Sequence, residues 1–179
     1  INNGDSNWQK KSRITSDENT QRFVNSITIA DFNNDGFDDF FLCTENGDDA
    51  LFIYHSDKKI FENESTRWNI KKTGRSYSGV AGDFDLDMDI DLYVSRVGFD
   101  FLYLNENNRK FNEVWQHMVY SEAGYLDGYN TGVAKIDINR DGKLDLLVGN
   151  LDSWSSLLRN ASSKSGYLTI DLRGTNDTK

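Results

Sequence analysis

The chain has 179 residues, of which 37% are hydrophobic and 13% aromatic, and a formal net charge of −9. These values predict one folded domain or one piece of a larger one and argue against wholesale disorder, and the acidic charge argues against a basic surface for nucleic acid. No apolar run approaches the roughly 18 residues of a membrane-spanning helix, so no such span is predicted. The single cysteine, Cys43, excludes an internal disulfide framework, and its apolar neighbours predict a buried side chain.

Three segments of the chain repeat one another. They are residues 29–42, 81–94 and 135–148. Their first aspartates are Asp31, Asp83 and Asp137, which stand 52 and 54 residues apart. A repeat of this length, built from short apolar runs and polar turns, is typical of propeller blades.

The predicted strands follow in the same order in each repeat. An apolar run enters the acidic segment, a β-rich run leaves it, a third strand follows, and a polar turn leads to a fourth. In chain order these elements are 27–30, 40–43 and 51–54 with a turn at 56–59; 79–82, 92–94 and 101–104 with a turn at 106–109; and 132–136, 144–148 and 157–159. Residues 114–130 are predicted to form a short helix or a long loop.

The predicted fold class is all-β, with four-stranded antiparallel blades of the β-propeller type. We assign residues 1–22 to the tail of a preceding blade, 23–76, 77–130 and 131–160 to three repeats, and 161–179 to the start of a further segment. A propeller needs about four blades to close, so about three to three and a half blades predict a partial ring or one closed by assembly. Because terminal blades expose apolar surface, we expect self-association or a place in a larger chain or assembly.

The acidic residues are concentrated in the repeated segments. Of 22 Asp and 7 Glu, 12 Asp fall in three nine-residue windows with the pattern D-x-[DN]-x-D-x-x-x-D. Alternate residues of a tightly curved loop can point inward, and oxygen ligands in this number suit Ca²⁺, so about three Ca²⁺ sites are predicted. The predicted ligands, which include a backbone carbonyl at the seventh place of each loop, are Asp31, Asn33, Asp35, Phe37 and Asp39; Asp83, Asp85, Asp87, Asp89 and Asp91; and Asp137, Asn139, Asp141, Lys143 and Asp145.

Ordinary turns and EF-hands are the two alternatives for these loops. Asp-Gly pairs also form ordinary turns, but three matches at the same place in each repeat favour metal loops. An EF-hand needs a bidentate Glu at the twelfth place and flanking helices, whereas here the twelfth place lies in a strand-like run. The sixth place is Gly36 and Gly142 in the outer repeats but Met88 in the middle one. If that place requires a positive φ, Met88 costs about 1 kcal/mol.

The acidic loops and their flanks resemble the FG-GAP/VCBS-type repeat of integrin alpha-subunit propellers and of the cartilage acidic protein group. The residues that carry the resemblance are the acidic run 82–94, Leu-Tyr-Leu-Asn at 102–105, and Gly-Val-Ala at 79–81 and 132–134. Residues 160–174 resemble the start of the ASPIC/UnbV segment that follows the last repeat in that group. The resemblance implies a calcium-bearing β-propeller, secreted or at a cell surface, that serves in binding or as a scaffold.

We therefore expect a non-catalytic, extracellular calcium-binding module for adhesion or ligand recognition, whose partner is an extracellular protein or a glycan. An enzyme is disfavoured because the clustered Asp are accounted for as ligands and the chain has only two histidines, His55 and His117. We align His55 with Asn105 and Asn160 as a residue at the end of the third strand.

Two alternatives remain open. The first is a carbohydrate-binding lectin that stacks sugars on tryptophan rings, although such rings more often pack in a core. The second is the non-catalytic or scaffold part of a larger secreted enzyme. The four tryptophans are Trp8, Trp68, Trp115 and Trp154. Sequons for N-glycosylation begin at Asn63, Asn160 and Asn176.

Overall fold

The computed structural model describes residues 22–70, 75–114, 128–151 and 154–163, and every regular element in these ranges is a β-strand. The predicted all-β class is therefore confirmed. The strands are β1 (Val24–Ala30), β2 (Asp39–Thr44), β3 (Ala50–His55), β4 (Ile60–Asn63), β5 (Ser76–Gly82), β6 (Asp91–Gly98), β7 (Phe101–Glu106), β8 (Lys110–Glu113), β9 (Gly128–Ile136), β10 (Asp145–Asn150) and β11 (Ser156–Leu158). In these ranges no helix is long and apolar enough to cross a membrane.

The strands form three antiparallel sheets that follow one another along the chain. The first sheet has the order β1-β2-β3-β4, the second β5-β6-β7-β8 and the third β9-β10-β11. The end of β6 pairs with the start of β9, which joins the second and third sheets at one corner. Each sheet is a propeller-like blade, and the described strands do not close into a ring.

Some predictions lie outside the described residues. These are the assignment of 1–21 to a preceding blade, the part of the helix or loop predicted at 114–130 that covers 115–127, and the ASPIC/UnbV-like segment from 164 onward. Residues 128–130 of that predicted helix or loop instead begin strand β9. The domain boundaries stay predictions.

Two apolar cores hold the sheets face to face. The first core lies between the first and second sheets and includes Phe41, Leu51, Leu92 and Phe111, all fully buried. The second core lies between the second and third sheets: Phe84, Tyr93, Leu102, Leu146, Val148 and Leu158. Because side chains alternate across a strand, the middle sheet contributes one face to each core.

Cys43 lies in the first core, as its apolar neighbours predicted. Burial raises the pKa of its thiol to about 12. The thiolate is the reactive form of cysteine, so this side chain acts as a small buried apolar group.

The two Gly-Val-Ala runs do not occupy equivalent places in the sheets. Gly79 pairs with Val94, whereas Val133 pairs with the equivalent Val148 and Gly132 lies one residue further from the loop. Gly79 therefore corresponds to Val133, in agreement with the repeat of 81–94 by 135–148. A Cβ on Gly79 would lie 2.6 Å from Thr28 Oγ1 of β1, so glycine is needed where the first two sheets meet.

The outer faces of the first and third sheets carry exposed apolar side chains. In the first sheet Ile27 and Ile29 are 60% and 65% exposed, and in the third Leu147 and Leu157 are 48% and 46% exposed. These are the surfaces that an unclosed array of blades is expected to leave without a neighbouring blade.

Candidate metal centres

Each acidic loop begins where the first strand of its sheet ends, and it folds around the carboxylate of its first aspartate. Asp31 accepts a hydrogen bond from the Asp35 N–H at 3.0 Å on Oδ1 and from the Gly36 N–H at 2.8 Å on Oδ2. The same pair of bonds joins Asp83 to Asp87 and Met88, and Asp137 to Asp141 and Gly142, at 2.9 to 3.1 Å. The three loops therefore share one backbone fold.

The third and fifth places close the turn inside the loop. Asn33 donates through Nδ2 to Asp35 Oδ2 at 2.9 Å, and Asp35 Oδ1 accepts from the Phe37 N–H at 2.9 Å. The third loop repeats these bonds with Asn139, Asp141 and Lys143.

The second loop has an aspartate, Asp85, in place of the amide at the third position. Burial and the neighbouring carboxylates Asp85 and Asp89 raise the pKa of Asp87. In the third loop, by contrast, the Lys143 N–H and the Asn139 amide lower the pKa of Asp141. The second loop therefore carries more carboxylates than the third and lacks the asparagine amide of the third place.

The aspartate at the ninth place is buried in every loop. Asp39, Asp91 and Asp145 are 1%, 0% and 1% exposed. Asp39 accepts from the Phe32 N–H at 3.0 Å and from the Tyr54 N–H at 2.8 Å, so it ties the loop to the third strand of its sheet.

The same ninth-place bonds recur in the other two loops. They join Asp91 to Phe84 and Asn105, and Asp145 to Ile138 and Asn160. Burial, with a smaller contribution from nearby loop carboxylates, raises the pKa of Asp39 to about 6 and that of Asp91 to about 7.

The second loop brings three carboxylates together. One oxygen from each of Asp83, Asp85 and Asp91 lies within 4.8 Å of the other two. Ca²⁺ binds oxygens at about 2.3–2.6 Å, so two ligands on opposite sides of the ion stand about 5 Å apart. The spacing and the all-oxygen donor set fit a hard divalent cation.

Side chains at the seventh place turn away from the loops. The Asp89 carboxylate accepts from the N–H and the side-chain amide of Asn108 at 3.2 and 2.8 Å, in the turn between β7 and β8. Lys143 donates to the Ser162 carbonyl, and the Phe37 ring packs on Tyr54. The predicted role of the seventh-place backbone carbonyl of Phe37, Asp89 and Lys143 as a cation ligand stays a prediction. The side chain of Asp89 instead holds the neighbouring turn.

The sixth place has a left-handed backbone, which meets the condition under which Met88 carries a conformational cost. Its φ is 87° at Gly36, 82° at Gly142 and 75° at Met88. The fourth place is also left-handed, with φ between 55° and 60° at Asn34, Leu86 and Arg140. The sequence pattern did not reveal this second requirement, because only the asparagine at position 34 is a residue that favours such a backbone.

Two buried asparagines next to the loops were also missed. Asn105 is 2% exposed and donates through Nδ2 to the Phe32 carbonyl of the first loop at 2.8 Å. Asn160 is 4% exposed and makes the equivalent bond to the Phe84 carbonyl of the second loop at 2.6 Å. The signal in the sequence was the same residue type at the same place after two of the loops.

The alignment of His55 with these asparagines is wrong by one residue. The N–H of Tyr54 bonds the ninth-place aspartate of its loop, as the N–H of Asn105 and of Asn160 do. Tyr54 therefore occupies the asparagine position in the first sheet.

His55 belongs to a different polar cluster. Its Nε2 lies 3.0 Å from Glu64 Oε1 and 3.4 Å from Glu62 Oε2. The two carboxylates are also paired with Arg67 and Lys58 at 2.8 and 2.9 Å. Cations of the protein already balance these carboxylates, so the cluster is an ion-pair network.

The tryptophans and sequons differ in their accessibility. Trp68 is 2% exposed and packs on Phe111, so it cannot stack on a sugar, whereas Trp154 is 90% exposed. Asn160 cannot accept a glycan in the folded protein because its amide is buried and bonded, whereas Asn63 is exposed. Trp8, Trp115, His117 and Asn176 lie outside the described residues.

Comparison with known proteins shows similarity to a repeat family and to a longer protein. A family model described as an FG-GAP-like repeat matches residues 31–94 and again 83–148. Cartilage acidic protein 1 of Xenopus tropicalis is 22% identical over 184 residues, an alignment that covers 99% of this chain and 28% of that protein. The chain thus spans little more than a quarter of the length of this relative.

Proposed function

Because the chain belongs to the FG-GAP-like repeat family, we propose that it is a calcium-binding module of an extracellular protein. About three Ca²⁺ ions would bind, one in each acidic loop. Their role would be structural, and the module would serve adhesion or ligand recognition without catalysing a reaction.

The observation that carries this proposal is the threefold repetition of one loop. An ordinary Asp-Gly turn does not require a buried carboxylate at its ninth place. Asp39, Asp91 and Asp145 are nevertheless all buried there, and each accepts from two backbone N–H groups at equivalent positions. In the second loop the grouped oxygens of Asp83, Asp85 and Asp91 are those that a hard cation prefers.

Charge and affinity favour a structural role for the ions. Three divalent cations would change the formal net charge from −9 to −3, which reduces self-repulsion in the compact state. Extracellular calcium sites often have a Kd of about 10⁻⁴–10⁻³ M. At about ten times the Kd, each site would add only ~1.4 kcal/mol to the free energy of unfolding.

Recognition as the biological role rests on the family and on the relative, whose name places it in cartilage. Carbohydrate binding is the second candidate, favoured by the exposed ring of Trp154 and weakened by the burial of Trp68. A glycan array in calcium buffer, with Trp154→Ala beside the wild type, separates sugar binding from protein adhesion. Loss of a glycan signal in that variant would establish the lectin.

The test of calcium binding is isothermal calorimetry with Ca²⁺ and, separately, Mg²⁺. We expect about three Ca²⁺ sites and weak Mg²⁺ binding, because Mg²⁺ demands a smaller octahedral cage and loses water reluctantly. Asp31→Asn, Asp83→Asn and Asp137→Asn should each remove about one site. The matched control is Asp57→Asn, an exposed aspartate in the turn between β3 and β4. Absence of calcium heat in the wild type, or equal losses in the control, would refute the proposal.

A further inference from the structure

Two asparagine side chains cross from one sheet to the acidic loop of the sheet before it. Asn105, at the end of the third strand of the second sheet, reaches the carbonyl of Phe32 in the first loop. Its other amide hydrogen goes to the carbonyl of Ile90, in the second loop, at 3.0 Å. One side chain therefore joins two acidic loops.

Asn160 repeats the arrangement one sheet later. Its Nδ2 donates to the Phe84 carbonyl of the second loop at 2.6 Å and to the Leu144 carbonyl of the third loop at 3.4 Å. Both asparagines are buried, so water cannot replace them as hydrogen-bond donors to these carbonyls. An unpaired buried carbonyl is costly.

These bonds connect with those of the ninth-place aspartates into one series. Both backbone polar groups of Phe32 are hydrogen-bonded to side chains, its N–H to Asp39 and its carbonyl to Asn105. The N–H of Asn105 is in turn held by Asp91, whose second oxygen accepts from the N–H of Phe84.

The series continues through the third sheet. The carbonyl of Phe84 is held by Asn160, the N–H of Asn160 by Asp145, and Asp145 also accepts from the N–H of Ile138. A continuous run of hydrogen bonds thus passes from the first acidic loop to the third.

We propose that Asn105 and Asn160 each couple the acidic loop of one sheet to the sheet that follows it, so that ordering of that loop and docking of the next sheet form one cooperative event. The coupling has a direction, since each asparagine acts on the loop of the preceding sheet. Its effect on cation affinity rests on the proposed calcium function, whereas its effect on loop order does not.

The chemistry of the site requires an asparagine. Asn105 uses both amide hydrogens on carbonyls, while its Oδ1 has no hydrogen-bond partner among the described residues. The site therefore needs a donor, and aspartate, which would bring a further acceptor against two carbonyls, cannot replace it. Tyr54 stands at this place in the first sheet, which has no preceding loop within the described part of the chain.

A simpler role would be that each asparagine only stabilises an interface between sheets. That role predicts an equal loss of order in all three loops, or a loss that follows overall stability. Coupling predicts a loop-specific loss, largest in the loop whose carbonyl has lost its donor.

The loops carry their own reporters. The amides of Gly36, Met88 and Gly142 each donate to the first aspartate of their loop. Nuclear magnetic resonance therefore gives the hydrogen-exchange rate of each loop in chelator, and then the Ca²⁺ midpoint of each loop in a titration.

The variants are Asn105→Ala and Asn160→Ala, with Asn112→Ala as the matched control on the exposed side of β8. In Asn105→Ala we expect the Gly36 exchange rate and Ca²⁺ midpoint to rise by roughly tenfold, since a buried carbonyl loses its donor. The exchange rate and the Ca²⁺ midpoint at Gly142 should change by less than about twofold, because the third loop makes no hydrogen bond with Asn105. In Asn160→Ala the largest change should move to Met88.

Equal changes in all three loops, or changes no larger than those of Asn112→Ala, would overturn the coupling. Should Asn105→Ala fail to fold, Asn160→Ala decides the question through the same comparison of loops. If none of the three reporters moves with Ca²⁺ in the wild type, the calcium function is refuted. The coupling is then decided by the exchange rates in chelator alone.

Discussion

Replacing Met88 with glycine should stabilise the protein, although it removes a side chain. Met88 has a φ of 75° and is 86% exposed. A left-handed backbone costs a residue with a Cβ about 1–2 kcal/mol. The greater freedom of glycine in the unfolded chain cancels about 0.5–1 kcal/mol of that difference.

The expected net gain of Met88→Gly is therefore about 0.5–1 kcal/mol in the free energy of unfolding. The hydrogen bond from the residue 88 N–H to Asp83 is unaffected, because it comes from the backbone. For a chain of this size a gain of about 1 kcal/mol raises Tm by about 2–4 °C. Urea unfolding in chelator measures the gain without any contribution from bound metal.

Two further variants test the reason for this gain. Met88→Ala keeps the Cβ and so should change stability little, since the rest of the side chain is exposed. Gly36→Ala should cost about 1 kcal/mol, and that cost is conformational because nothing lies within 4 Å of the added Cβ. If Met88→Ala stabilises as much as Met88→Gly, the strain assigned to the backbone is wrong.

Three other predictions follow from burial and exposure. Burial raises the pKa of Asp49 from 3.8 to about 6, so the folded protein binds the proton of this carboxyl more tightly than the unfolded chain does. The stability that this proton contributes is present below pH 3.8 and is lost as the pH rises from 3.8 to about 6. Asp49→Asn should therefore match the wild type in urea unfolding at pH 3.5 and exceed it by up to about 3 kcal/mol at pH 7; a constant difference at both pH values would contradict this. Leu147→Lys, on the exposed face of β10, should reduce self-association in sedimentation and the binding of a fluorescent dye for apolar surfaces. Leu151→Lys, the control, should reduce both by less. A wild type that is monomeric and binds no such dye would contradict this prediction. Phe111→Ala, in the first core, should cost about 3–5 kcal/mol in thermal or urea unfolding, and a loss below about 1 kcal/mol would show that the core is not packed as described.

The sequence by itself determined the parts of the protein that depend on near neighbours. The acidic loops span nine residues, and their bonds join residues two to seven positions apart, such as Asp35 to Asn33 and Phe32 to Asp39. Spacing of aspartates and alternation of apolar residues record such contacts directly. The strands, their order within each sheet and the buried Cys43 were predicted for this reason, and Met88 was identified as the departure at the sixth place.

The tertiary structure alone decided which residues act between sheets. Asn105 and Asn160 bond carbonyls 73 and 76 positions earlier in the chain, and Asp49 accepts from Ser76 Oγ, 27 positions later in the neighbouring sheet. Such partners depend on the pairing register, and a shift of one residue moves a side chain to the opposite face of its strand. The sequence alignment was wrong by one residue at His55, because the backbone hydrogen bonds make Tyr54 the equivalent of the asparagines in the other repeats. Composition does not fix that register, because it depends on how the strands pair across connections of different length: Phe40 pairs with Phe52, twelve positions later, whereas the equivalent Leu92 pairs with Tyr103, eleven positions later.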